Sequence, residues 1–132
     1  MNQDTVIVIR ERKIGDRAGE GTTLNNISRI YDARDDYDTA MDYLNQSLAI
    51  QRKIGDHVGM CVTLFDIGHI HMQHEEHREA MSVWLLIYGI AKEIQLTKAL
   101  THLETLAQQM GQEGLSFWEK LLEETKAQYG DG

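Results

Sequence analysis

IGDRAGEGTTLNNISRIY at residues 14–31 is answered by IGDHVGMCVTLFDIGHIH at residues 54–71. Read outward, DDYDTAMDYLNQSLAIQRK (35–53) faces EEHREAMSVWLLIYGIAKE (75–93) at the same offset of forty residues. Identities fall at Ile14/Ile54, Gly15/Gly55, Asp16/Asp56, Gly19/Gly59, Thr23/Thr63 and Leu24/Leu64, then at Ile27/Ile67, Ile30/Ile70, Ala40/Ala80, Met41/Met81 and Ile50/Ile90. No gap is needed to align them. A fixed period of this size marks stacked supersecondary units rather than one irregular core. The chain therefore reads as repeat 14–53 followed by repeat 54–93.

Each repeat divides into two helices. Gly15-Asp16 supplies a turn and an N-cap whose carboxylate accepts from free amides. Leu24, Ile27, Ile30 and Tyr31 then recur at helical spacing. Arg34-Asp35-Asp36 interrupts the pattern, and Asp36 is placed to cap a second helix with the stripe Tyr37, Ala40, Met41, Leu44, Leu48 and Ile50/Ile54. The second repeat copies this with Leu64, Ile67, Ile70 and His71, then His77, Ala80, Met81, Trp84, Ile87, Tyr88 and Ile90. Small residues at Ala40, Ala80 and Gly68 mark places where helices approach closely.

The flanks are less regular. Thr5 to Lys13 leads into Ile14-Gly15-Asp16 as Leu48 to Lys53 leads into Ile54-Gly55-Asp56, so residues 1–13 read as the back end of a helix whose front is missing. Val6, Ile7, Val8 and Ile9 would leave an apolar end uncovered, where solenoids ordinarily cap with polar faces. Either the chain is cut from a longer array or a second copy covers that end. Residues 95–129 keep a looser stripe (Leu96, Ala99, Leu103, Leu106, Ala107, Met110, then Leu115, Trp118, Leu121, Leu122) around a Gly111–Gly114 turn. They read as a third, degenerate repeat or a cap.

Composition narrows the function. The 132 residues are one domain's worth, contain no proline and carry a net charge of −8. Nothing basic is clustered to displace counterions from phosphates, so nucleic acid is not an expected partner. An anionic membrane surface is disfavoured for the same reason, and Val6–Ile9 is far too short to span a bilayer. The single cysteine, Cys61, fits a reducing compartment, and the chain reads as a cytoplasmic protein. There is no phosphate loop and no nucleophile motif, and the acid pairs Asp35-Asp36 and Glu75-Glu76 sit where capping explains them. No enzyme and no cofactor is expected.

The pattern of Leu24, Ile27, Ser28, Tyr31, Tyr37, Ala40, Leu44 and Leu48 resembles the tetratricopeptide repeat signature. Leu64, Ile67, Gly68, His71, His77, Ala80 and Trp84 repeat it. The forty-residue period and the Gly15, Asp16, Arg17, Gly19, Glu20 start resemble the lengthened repeats of Pins-type adaptors and kinesin light chains. Asp35 and Glu75 stand where the family usually has glycine, which puts the turn geometry in question. The resemblance implies an all-α, right-handed superhelical solenoid of antiparallel helix pairs, one such unit over residues 1–132. It also implies a non-enzymatic scaffold that holds a protein or peptide segment on its concave face, the face of each first helix. The matching positions are Thr22, Asn25, Asn26, Arg29, Asp32 and Ala33 in the first repeat, and Val62, Phe65, Asp66, His69, Met72 and Gln73 in the second. Asn offers donor and acceptor to a peptide backbone, Arg grips a carboxylate at two points, and Phe and Met give apolar contact. The bland alternative is a solvated helix face.

Two further readings stay open. The chain is a self-association module, with Val6, Ile7, Val8 and Ile9 and the last helix pair making a homodimer, or a regulatory segment of a larger signalling protein. The string HIHMQHEEH sets His69, His71, His74 and His77 near one another, and imidazoles at such spacing suit zinc, nickel or copper. Against a metal, His71 and His77 take the places of core tyrosines and no cysteine completes a tetrahedral set. These three histidines (His71, His74, His77) are the weak metal candidates.

Overall fold

The computed structural model describes residues 16–129. Six helices run through them: α1 (Arg17–Ala33), α2 (Tyr37–Ile54), α3 (His57–Gln73), α4 (His77–Ile94), α5 (Thr97–Gln109) and α6 (Leu115–Tyr129). Among the described residues there is no strand. None of these helices is long and apolar enough to cross a membrane. The expected partial helix 1–13, with Val6, Ile7, Val8 and Ile9, lies outside the described residues.

The repeated start is explained by its caps. The Asp16 carboxylate accepts from the Gly19 amide at 2.7 Å and Asp56 from Gly59 at 2.9 Å, each satisfying an otherwise orphaned donor. A Cβ on Gly59 would stand 2.3 Å from the Asp56 carboxylate, so cap and glycine are a matched pair. Asp36 caps α2 through Thr39 at 3.3 Å. Glu76 stands at the α4 start without a capping bond and turns its carboxylate elsewhere.

The helix ends share one device. Residues 35, 55, 75 and 95 all take left-handed backbone, every twenty residues, and only Gly55 among them is glycine. The amide after each bonds back to a carbonyl in the last helical turn: Asp36 to Tyr31 at 2.9 Å, Asp56 to Gln51 at 2.9 Å, Glu76 to His71 at 2.8 Å and Leu96 to Ala91 at 2.9 Å. This closes the orphaned carbonyls of each helix. Asp35 and Glu75 thus adopt the glycine conformation, with φ of 59° at both.

Packing is between neighbours. α1 lies along α2 and α3 along α4; α2 and α1 both meet α3, α4 meets α5, and α6 touches both α4 and α5. The result is a helical repeat solenoid. Ala40 and Ala80 are fully buried where helices cross, beside Leu44, Leu48, Leu64, Ile67 and Trp84. Leu103 and Trp118 continue the same core into the last pair. The expected stripes fail at three places. Ile30 is 45% exposed and Ile54 41%, although Ile70, the partner of Ile30, is buried. Ile70 has the preceding pair to pack against, whereas α1 is the first described helix. His77, expected in a core tyrosine's place, is exposed.

A polar cluster sits inside the apolar one. Asn25, Ser47, Gln51 and Thr63 are all buried. Asn25 Nδ2 donates to Thr63 Oγ1 at 2.9 Å, Thr63 donates to Gln51 Oε1 at 2.7 Å, and Ser47 donates to the Gly21 carbonyl at 2.8 Å. The cluster ties α1, α2 and α3 together, with its hydrogen-bonding groups paired as burial requires.

Candidate functional site

The first helices of the three pairs (α1, α3 and α5) carry a row of hollows. Between α1 and α3, Thr22, Asn26 and Arg29 face Val58 and Val62 across about 320 Å³. Between α3 and α5, the same two valines with Phe65 face Leu96, Ala99 and His102 across about 240 Å³. A smaller hollow of about 60 Å³ joins Arg29 and Asp32 to Asp66 and His69. Val58 and Val62 are one turn apart, 53% and 42% exposed, and form the ridge between the larger two. The wall is polar on the α1 side and apolar on the α5 side.

Most of the residues singled out by the sequence meet here. Arg29 bonds Asn26 at 3.0 Å and pairs with Asp66 at 3.1 Å, which fixes α1 against α3. Burial raises the Asp66 pKa above its ordinary value, with Arg29 pulling the other way. With the Arg29 end exposed and Asp66 half-buried, the pair adds modest stability at most. Its effect is to hold both side chains in place and leave Arg29 only partly available. Thr22 and Asn26 are exposed, and Asp32, Phe65 and His69 are half-buried. Phe65 lies 4.3 Å from the His102 ring.

Asn25 departs from the expected pattern. It is 4% exposed and its amide is engaged on Thr63, so it holds helices together under the groove. Met72 packs on the core with its sulfur 3.3 Å from His77 Nδ1, away from the hollows. The histidines go separate ways: His71 Nδ1 meets Glu76 at 3.1 Å, and His74 lies 4.1 Å from the Tyr37 ring. Among the described residues no group of three His, Cys, Asp or Glu side chains comes together as a metal would need.

Val58 and His102 were not anticipated, and Leu96, read as part of the apolar stripe of the last pair, lines the hollow instead. The signal for Val58 was present: Val58, Val62 and Phe65 recur at i, i+4 and i+7, on a different side of α3 from Leu64 and Ile67. For His102 there was none, because the last pair does not keep the forty-residue offset. A further apolar hollow of about 740 Å³ lies between the second helices, where Leu85, Leu86 and Ile90 of α4 face Leu122 of α6.

No curated protein matches the chain. Residues 2–53 match the family model described as Tetratricopeptide repeat. Repeats of this kind generally mediate protein–protein interaction and are typically non-catalytic. The match ends with the first helix pair, which the second repeats at a forty-residue offset.

Proposed function

We propose that the chain is a non-enzymatic interaction scaffold whose α1–α3–α5 face holds a segment of a partner protein. The observation that carries this is the exposed Val58–Val62 ridge, apolar surface with a hollow on either side. Unpartnered apolar ridges flanked by polar groups are what a docking surface offers. Asn26 and Thr22 would serve the partner's backbone, and Phe65 and Val62 its apolar side chains. The twenty-residue spacing of helix ends suits lengthened repeats of the Pins-type and kinesin light chain kind. A buried lone thiol at Cys61 suits the cytoplasm.

The test is selection of peptides from a displayed library on the intact chain, followed by binding to variants. Peptides that occupy the groove lose at least about tenfold in affinity with Val62→Asp, an apolar anchor's worth. They keep it with Leu86→Asp on α4. Equal binding to Val62→Asp overturns the reading. A second reading, self-association through the last pair, is favoured by the α4–α6 hollow, where Leu86 is 46% exposed. It requires a dimer by light scattering that Leu86→Asp dissolves.

A further inference from the structure

Every residue of the buried polar cluster is paired, but Gln51 has an atom to spare. Gln51 is 2% exposed. Thr63 has one hydroxyl proton, and Gln51 Oε1 at 2.7 Å is nearer to it than Asn25 Oδ1 at 3.1 Å. That bond turns Gln51 Nε2 the other way, between Gly21 of α1 and Gly59 of α3, 3.3 Å and 2.8 Å from where their Cβ atoms would be. Nε2 makes no hydrogen bond there among the described residues. It is not sealed in, since Trp84 Nε1 is the one enclosed side-chain polar atom without a partner among them. It opens on the hollow of about 320 Å³ between α1 and α3, which Gln51 lines.

Asp56 meets it over the same glycine. Asp56 Oδ1 caps the Gly59 amide at 2.9 Å. Its Oδ2 makes no hydrogen bond among the described residues and lies 2.3 Å from where the Gly59 Cβ would be. The bare Cα thus leaves a donor and an acceptor side by side on one wall. Of the two charged residues lining the hollow, Arg29 is answered by Asp66, and Asp56 has no ion pair among the described residues. The repeat does not demand this pair. Forty residues on, the places of Gln51 and Asp56 hold Ala91 and Leu96, and Leu96 walls the next hollow.

We infer that the α1–α3 hollow takes a primary carboxamide, the side chain of an asparagine or glutamine in the partner segment. Its carbonyl accepts from Gln51 Nε2 and its amino group donates to Asp56 Oδ2. This subsite deepens the scaffold reading and rests on the groove being the partner site. A carboxylate would be repelled by Asp56, and an ammonium group would set donor against donor at Gln51. A trans peptide group points its carbonyl and N–H in opposite directions, whereas a primary amide carries both on one edge. The side-chain amide is therefore the group that matches a donor and an acceptor sharing one wall. The bond to Asp56 is charge-assisted, and a mismatched ligand leaves buried polar groups unpaired, so the discrimination is sharp.

The experiment uses peptides from a displayed random library, selected on the intact chain and sorted by their dependence on Val62. Those that depend on it are expected to share an asparagine or glutamine. Changing that residue to glutamate, methionine or lysine weakens binding by at least about tenfold. Asp56→Asn is the decisive variant, because asparagine caps a helix as well as aspartate does and turns the free oxygen into a second donor. There the ranking reverses, and the glutamate peptide binds more tightly than its parent. On the unaltered chain, the Gln51 side-chain amide protons shift in proton–nitrogen NMR with the parent peptide and stay in place with the methionine one. Val62-dependent peptides whose carboxamides are all dispensable, a lysine peptide that binds as tightly, or an unchanged ranking in Asp56→Asn overturns the inference and leaves the groove standing. If no selected peptide depends on Val62, the groove falls and this subsite with it.

Discussion

Trp84 and Trp118 are both buried, at 2% and 0% exposure, but their nitrogens fare differently. Trp118 Nε1 donates to the Leu103 carbonyl at 2.7 Å and anchors α6 on α5. Among the described residues Trp84 Nε1 has no partner, because it lies over Gly68, 2.3 Å from where a Cβ would be. The first repeat fills the same two places with Ser28 and Leu44, so a larger ring on one helix is matched by a smaller residue on the other. Replacing either tryptophan by Phe removes similar volume, but only Trp118→Phe gives up a hydrogen bond, and Trp84→Phe removes an unsatisfied donor. Trp84→Phe should therefore be the milder change, by about 1 kcal/mol or more, in urea unfolding. The opposite ranking would contradict this account. Gly68→Ala presses a methyl group into the indole and should cost about 1–3 kcal/mol by overpacking. Much of that cost should vanish when Trp84→Leu is added, and additive losses would show that the two residues are not coupled.

At the scale of the helix, the left-handed ends offer a separate test. Asp35, Glu75 and Gln95 hold a conformation that costs an L-residue about 1–2 kcal/mol, and Gly55 holds it without that cost. Glu75→Gly and Gln95→Gly are each expected to raise stability by up to about 1 kcal/mol, seen as a higher Tm. Gly55→Ala is expected to lower it by a similar amount, although open space surrounds it. A lower Tm for both glycine variants would show that side-chain contacts outweigh the backbone there. These ends also mark how far the sequence could be read. The helix pairs, the Asp16 and Asp56 caps and the close contacts at Ala40 and Ala80 were legible because the forty-residue offset prints them twice, and Asp36 and Gly68 were legible from capping chemistry and size alone. Of the groove, Asn26, Arg29, Val62 and Phe65 were legible through the family pattern. Asn25 was misread because a polar residue on a helix gives no sign of whether water or Thr63 satisfies it. His102 was missed because its helix belongs to the pair that has lost the offset, and only folding brings it to Phe65.

For the whole molecule, the junctions between successive pairs matter most, since a solenoid is held by neighbour-on-neighbour packing. Both junctions use a tyrosine on a glutamate. Tyr37 of the first pair donates to Glu76 of the second at 2.8 Å, and His71 bonds the same carboxylate. Tyr88 of the second pair donates to Glu119 of the third, where Lys92 pairs at 2.7 Å. Burial, and then the adjoining carboxylate, push both tyrosines from the usual 10 up to about 12. The carboxylates move the other way: Glu76 is held below its ordinary value by His71 and then Tyr37, and Glu119 by Lys92 and then Tyr88. A raised tyrosine pKa means the fold prefers the neutral phenol, so that contribution is whole below about pH 10 and drains away between about pH 10 and 12. A lowered glutamate pKa means the fold prefers the carboxylate, so that contribution is whole above the ordinary 4.5 and lost as pH falls below it. Tm should therefore fall at both extremes. Tyr37→Phe with Tyr88→Phe should lower Tm at neutral pH and flatten its alkaline decline. It should also soften the acid decline, because each glutamate loses one of the donors that favour its charge. A double variant whose Tm still falls as steeply above about pH 10 would mean that other groups, and not these two bridges, join the pairs.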